Sequence, residues 1–334
     1  MKVSKDLKVR ITGKGCSYPA RIRYNDDPIF KGIQDDGLFR GYKERRVLSL
    51  NESISEYMTA ASFKAISDAG VPVDEIDLLI GYGSISEYST PNILAKCHYE
   101  LGLSSTCSII PLNDEFNQLN TALHLVKSLI ETGSVNTALI CLGSNWTKHV
   151  DYKSSASISA SDAAAALIVT KSEDTNCFYI EDYGVSVDSS DYSCMSNSPD
   201  VEGKMEEDPS QPILENTNTF SSPYFHLTEQ GVNVFKQFGM NEPVKVSKEI
   251  LERNNVSNTD VTLISHQASS VLMDFWGEEI QPNQYINTIA NFANMTLVTV
   301  AFNFALHYDT IESDHLLLLC VGLEQKTSVI LLKK

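Results

Sequence analysis

The stretch "AISDAGVPVDEIDLLIGYGS" (Ala65–Ser84) returns 184 residues later as "EILERNNVSNTDVTLISHQA" (Glu249–Ala268). Ile66 to Ile80 and Ile250 to Ile264 keep the same spacing without a gap. Each copy reads as the end of an amphipathic helix, a polar turn and a buried strand. Each is followed by two more apolar runs of strand length. These are "TALICLGS" and "AAAALIVT" in the first half, "HLLLLCVG" and "TSVILLKK" in the second. Strands alternating with helices predict parallel-rich sheets covered by helices on both faces. The long period predicts two pseudo-equivalent halves, residues 1–172 and 173–334, and not a solenoid.

Between the halves, residues 196–222 ("SNSPDVEGKMEEDPSQPILENTNTFSS") are rich in Asp, Glu, Pro, Ser and Asn. They read as a long acidic surface loop. A loop of that length in a compact protein is a lid or a poorly ordered connection.

Composition narrows the function. The 334 residues are 42% hydrophobic and 21% charged, with a formal charge of −17 from 43 acidic and 26 basic residues. Nucleic acid and anionic membrane surfaces are therefore not expected partners. The start, "MKVSKDLKVRITGKG", lacks an apolar core of signal-peptide length. No run approaches the roughly 20 apolar residues of a membrane span. The seven scattered cysteines, without a CxxC, read as reduced thiols, and a cytoplasmic location is expected. "GYGSIS" has two glycines but no third, so no dinucleotide site is expected. His98 beside Cys97 has no partner at ligand spacing, so no metal is expected either.

Several motifs, in order, carry a family resemblance over nearly the whole chain. They are "GYKERRVLSLNESISEYMTAASFKAISDAG", "SDAAAALIV", "LTEQGVNVFK", "LISHQAS" and "NFANMTLVTVAFNFAL". The chain resembles β-ketoacyl-acyl-carrier-protein synthase III of the thiolase superfamily. The resemblance implies the five-layer αβαβα thiolase fold, an α/β architecture of two pseudo-repeated halves, usually dimeric. It implies an acyl-thioester substrate carried by coenzyme A or an acyl carrier protein, and no resident cofactor.

In that family a cysteine at a helix N-terminus takes the acyl group. A histidine and an asparagine then hold the thioester oxygen during decarboxylation. Two neutral donors aimed at that oxygen stabilise the enolate that forms. His266 matches the histidine and Asn294 the asparagine. The resemblance also places substrate contacts at Thr228 and Phe235, in the run similar to Met-Thr-Gly-x-x-Val-Phe-Lys. Ser269, which replaces the family's asparagine after His-Gln-Ala, and Gly322 are the other expected substrate contacts. Gly322 is what remains of a glycine-rich oxyanion loop, here "CVGLEQKTS".

The cysteine is missing. It belongs in "NDEFNQLNTALHLVKSLIETG" (Asn113–Gly133). Counting back from "ETGSVNTALICLGS" puts the position on Phe116; counting forward from "ELGL" puts it on Glu115. The family's coenzyme-binding arginine falls on Phe39. Three readings follow. The protein is an acyltransferase without a covalent intermediate, with His266 and Asn294 polarising the thioester and Glu115 or Asp114 as base. Or it is the impaired subunit of a heteromeric ketosynthase, with Phe116 filling the vacated nucleophile pocket. Or it is a binding module for an acyl carrier protein, which its acidic surface disfavours. A scaffold has no need of His266 and Asn294, so the first reading is favoured. Acidic residues at a helix start also have the simpler role of complementing its dipole. Phe292, Met295 and Leu297 beside Asn294 read as a tight apolar pocket or as packing.

Overall fold

In the computed structural model the described residues are 7–33, 37, 39–86, 90–199 and 223–334; the side chains of 196–199, 223–227 and 235 fall outside the description. The first half runs β1 (Lys8–Ser17), β2 (Ile22–Tyr24), β3 (Glu44–Arg46), α1 (Ile54–Ala69), β4 (Leu78–Ser84), α2 (Leu94–Leu101), β5 (Ser108–Pro111), α3 (Gln118–Glu131), β6 (Thr137–Ser144) and β7 (Ala163–Ser172). The second runs β8 (Tyr179–Val187), β9 (Met195–Pro199), β10 (Pro223–Leu227), α4 (Glu229–Arg253), β11 (Val261–Ser265), α5 (Ser270–Ile280), β12 (Gln284–Ile286), α6 (Ile289–Phe292), α7 (Thr299–His307), β13 (His315–Val321) and β14 (Lys326–Lys333).

Ten strands form one mixed sheet in the order β12-β11-β13-β14-β8-β1-β7-β6-β4-β5. It divides at β8/β1, where a single register pair, Arg10↔Tyr179, joins two five-stranded halves. Each half has the same internal order and sense. In the first, β5, β4 and β6 are parallel while β7 and β1 are antiparallel. In the second, β12, β11 and β13 are parallel while β14 and β8 are antiparallel. The helix–turn–strand echo is α1 into β4 and α4 into β11, the corresponding steps of the two halves.

The two faces of each strand sort the layers. Leu78, Ile80, Ile140 and Leu167 of the first half meet Leu316, Leu318, Ile330 and Leu332 of the second in one core. Between them lie α3 (Leu119, Leu123, Val126) and α7 (Val300, Phe302, Phe304). Leu79, Leu139 and Ile168 face the other way, onto α1 and α2. Leu263, Leu317 and Leu331 face α4 and α5. The result is five layers, helix–sheet–helix–sheet–helix, with strands buried on both faces, as continuous apolar runs require.

Close approach of α1 to β1 depends on glycine. A Cβ at Gly13 would lie 2.2 Å from the Ala65 carbonyl, and one at Gly15 2.2 Å from that of Ala61. The small side chains of Ala61 and Ala65 complete this contact from the helix side. Ser53 starts α1 by accepting the Ser55 N–H, and Gly70 ends it in the left-handed conformation.

One expectation needs correction. Residues 196–199 are not loop: they belong to β9, which pairs antiparallel with β10 from Met195↔Leu227 to Pro199↔Pro223. The rest of the expected acidic loop, 200–222, lies outside the described residues.

Candidate active site

The site forms where the carboxyl ends of central strands from both halves meet the start of α3. β11 delivers His266 there. Its backbone N–H donates to Leu319 O at 2.9 Å, extending the ladder to β13 by one residue. The imidazole is 1% exposed. Burial pushes its pKa down to about 3, a backbone hydrogen bond at Thr296 acting weakly the other way. The ring is therefore neutral at neutral pH, with its Nδ1 buried and bonded to no described residue.

Gln267, the next residue, is fully buried and fully used. Its Nε2 donates to Ala293 O at 3.1 Å. Its Oε1 accepts from the Thr288 N–H at 2.8 Å, the Thr288 hydroxyl at 3.2 Å and Asn303 Nδ2 at 3.3 Å. This clamp holds Ala293 at φ 52°, ψ −145°, a conformation that favours glycine. The strained turn presents Asn294. Asn294 donates its N–H to Ser159 O at 2.9 Å and accepts from the Ser161 N–H at 3.1 Å. Its Oδ1 accepts from the Thr296 N–H at 2.8 Å, so Nδ2 is the end of the amide left to donate. Thr296, at φ 48°, donates its hydroxyl to Ser144 Oγ at the end of β6, at 2.8 Å.

The start of α3 closes the site. Glu115–Asn117 form a 3-10 turn, with Glu115 at φ 45°, and the α-helix begins at Gln118. That backbone turns the two candidate nucleophile positions in different directions. Phe116 stacks on His266, ring centroids 4.8 Å apart and planes 17° from parallel. Glu115 turns to the β13–β14 turn, its Oε2 accepting the Leu323 N–H at 3.1 Å. Asp114 is tied to Lys326 Nζ at 2.6 Å and accepts from the Thr121 hydroxyl. Its carboxylate thus has an ion-pair partner, beyond the dipole role the sequence supports. Buried Asn117 and Asn120 fasten the helix to the second half. Asn117 bonds Lys326 O and Ser328 Oγ; Asn120 bonds Leu318 O and Ser328 O.

Other expected site residues take identifiable places. Ser269 caps α5, accepting the Val271 N–H at 3.4 Å. Thr228 caps α4, accepting the Gly231 N–H at 3.0 Å and donating to Cys194 O at 3.1 Å. Phe235 lies within α4, its side chain outside the description. Gly322 sits in the β13–β14 turn, its N–H donating to Lys326 O at 2.8 Å. Phe292, Met295 and Leu297 are all buried in the central core. The seven cysteines are free thiols. None of these seven thiols, all among the described residues, is hydrogen-bonded to His266 or Asn294. Burial raises the pKa of the Cys107 thiol to about 11 and pushes up that of Cys320. Among the described residues no group of His, Cys, Asp and Glu could hold a metal, and no helix is long and apolar enough to cross a membrane.

Sequence reasoning missed Thr296, Ser144, Glu324 and the clamp role of Gln267. Only Gln267 had a signal, its place in the histidine motif.

Comparison with known proteins bears on the fold. Residues 116–184 match the family of 3-oxoacyl-(acyl carrier protein) synthase III. A β-ketoacyl-(acyl carrier protein) synthase III of Clostridium perfringens is 26% identical over 259 residues, 75% of this chain and 74% of its own. The crystal structure of a 3-oxoacyl-(acyl carrier protein) synthase III from Aquifex aeolicus superposes with TM-score 0.81 at 20% identity, over 98% of this chain and 100% of that one. A priming β-ketosynthase from a polyketide pathway superposes with TM-score 0.83 at 19% identity, covering 100% and 98%. The chain thus has the thiolase-like fold of these synthases and is similar in sequence to 3-oxoacyl-(acyl carrier protein) synthase III.

Proposed function

We propose that the protein acts on acyl or malonyl thioesters without an acyl-enzyme intermediate, in specialised fatty-acid or polyketide metabolism. One observation carries the reading: an aromatic ring, Phe116, covers the His266 face where the family resemblance places a thiol. His266 and Asn294 remain as two neutral donors. The buried, neutral imidazole and the Asn294 Nδ2 hold the thioester oxygen, and the enolate left by loss of carbon dioxide gains most from both. Glu115 serves as the base toward an amine, alcohol or carbon acceptor. Thr228, Phe235, Ser269 and Gly322 border the substrate, Thr228 and Ser269 through the helix turns they cap. The donor is a coenzyme A or carrier-protein thioester, and no resident cofactor takes part.

The Phe116 stack also fits a second reading, an inactive subunit paired with a cysteine-bearing ketosynthase. Decarboxylation separates the two. Carbon dioxide release from malonyl thioesters by the chain alone, reduced about 10²–10³-fold in Asn294→Ala, supports the first. Release only on addition of a ketosynthase partner, untouched by Asn294→Ala, supports the second.

A further inference from the structure

Gly322 is the one glycine left in the β13–β14 turn, and its φ is not among the positive values that favour glycine. Its lack of a side chain serves space. A Cβ there would lie 2.3 Å from Glu324 Oε2 and 2.8 Å from Asn117 Nδ2. The Glu324 carboxyl therefore folds back under its own turn, although a turn offers water freely. Asn117 Nδ2 donates to its Oε1 at 3.3 Å. Its Oε2 is buried without an acceptor or donor assigned to it. The neighbouring backbone N–H, from Leu323, goes to Glu115 instead. The two carboxyl groups thus meet beneath one turn within hydrogen-bond reach, Glu115 held by the Leu323 N–H and Glu324 by Asn117 and its own backbone N–H. Two carboxylate ions in such contact repel; one acid and one anion form a strong hydrogen bond.

We propose that Glu324 and Glu115 share a single proton, Glu324 holding it and thereby fixing Glu115 against the β13–β14 turn, one residue before Phe116. The surrounding charges are Asp114, already paired with Lys326, on the α3 side and Lys326 on β14. Burial, the hydrogen bond with Glu115 and its charge raise the pKa of Glu324 to about 9, in line with the geometry. Glu324 is a positioning residue; only its effect on Glu115 as base rests on the function proposed above.

The test is a pH titration by NMR of the full chain carrying 13Cδ-labelled glutamate. Wild type is expected to show one glutamate titrating near 9, absent in Glu324→Gln. Gly322→Ala, which evicts the carboxyl without removing it, should return that titration toward the ordinary value of about 4.3. If every glutamate of the wild type titrates in the ordinary carboxylate range, the shared proton is refuted. In parallel, the alkaline limb of thioester turnover should follow the same titration and vanish in Glu324→Gln. Turnover absent with every donor would defeat the proposed function and leave the NMR result to decide the carboxyl pair.

Discussion

Removing the Phe116 ring should release His266 from its desolvated state. In the wild type, burial holds the imidazole at about 3, against an ordinary value of about 6.5. Each pKa unit is about 1.4 kcal/mol of difference between the protonation states. The folded pKa is depressed, so the unfolded chain binds more protons between about 3 and 6.5. His266 then contributes stability that is fully present above about 6.5 and is lost as pH falls towards 3, at up to about 1.4 kcal/mol per unit. Phe116→Ala opens one whole face of the ring to water. Recovery of one to two units is expected, or roughly 1.4–2.8 kcal/mol of desolvation relieved. Lost packing acts the other way, by less than the about 3–5 kcal/mol of a fully buried Phe→Ala, because Phe116 is only partly buried. The variant should be less stable at neutral pH yet lose less stability on acidification. Histidine NMR titration gives the pKa, with His266→Gln assigning the resonance, and urea melts at several pH values give the slope. A wild-type His266 titrating near 6.5, or one unmoved by Phe116→Ala, would refute the reasoning.

Three further outcomes follow from the same geometry. Phe116→Cys should place a thiol over His266 and gain one acyl group by intact mass after incubation with an acyl thioester; a thiol that reacts with a small reagent but never acylates would mean that position 116 does not face the donor. Gly13→Ala should cost about 1–3 kcal/mol in urea unfolding, since its new Cβ meets the backbone of α1; an unchanged midpoint would contradict the close contact. Leu123→Ala in the central layer should cost about 2–5 kcal/mol, and a loss under 1 kcal/mol would contradict its full burial between the two half-sheets.

The fold was legible because it is written in local periodicity. Apolar strand runs, capped helices and the Ile66/Ile250 echo lie within short windows, and the layers follow once strands are buried on both faces. His266 and Asn294 were legible through short motifs. What escaped depends on distant residues and on backbone turns. Phe116 and His266 are 150 positions apart, and only the left-handed conformation of Glu115 decides which neighbour faces the imidazole. Thr228 and Ser269 read as substrate contacts in their motifs, while their hydroxyls are occupied as helix caps. Glu324 carries no signal of its own in the sequence. Its inward fold depends on the absent side chain of Gly322 and on Asn117, more than 200 positions earlier.

The most direct test of a cysteine-independent thioester site is thiol release from a panel of acyl and malonyl thioesters, free and carrier-bound, by the wild type and by His266→Ala. Turnover by the wild type that disappears in the variant is the predicted result. Release that is absent with every donor, or that survives His266→Ala unchanged, would contradict it.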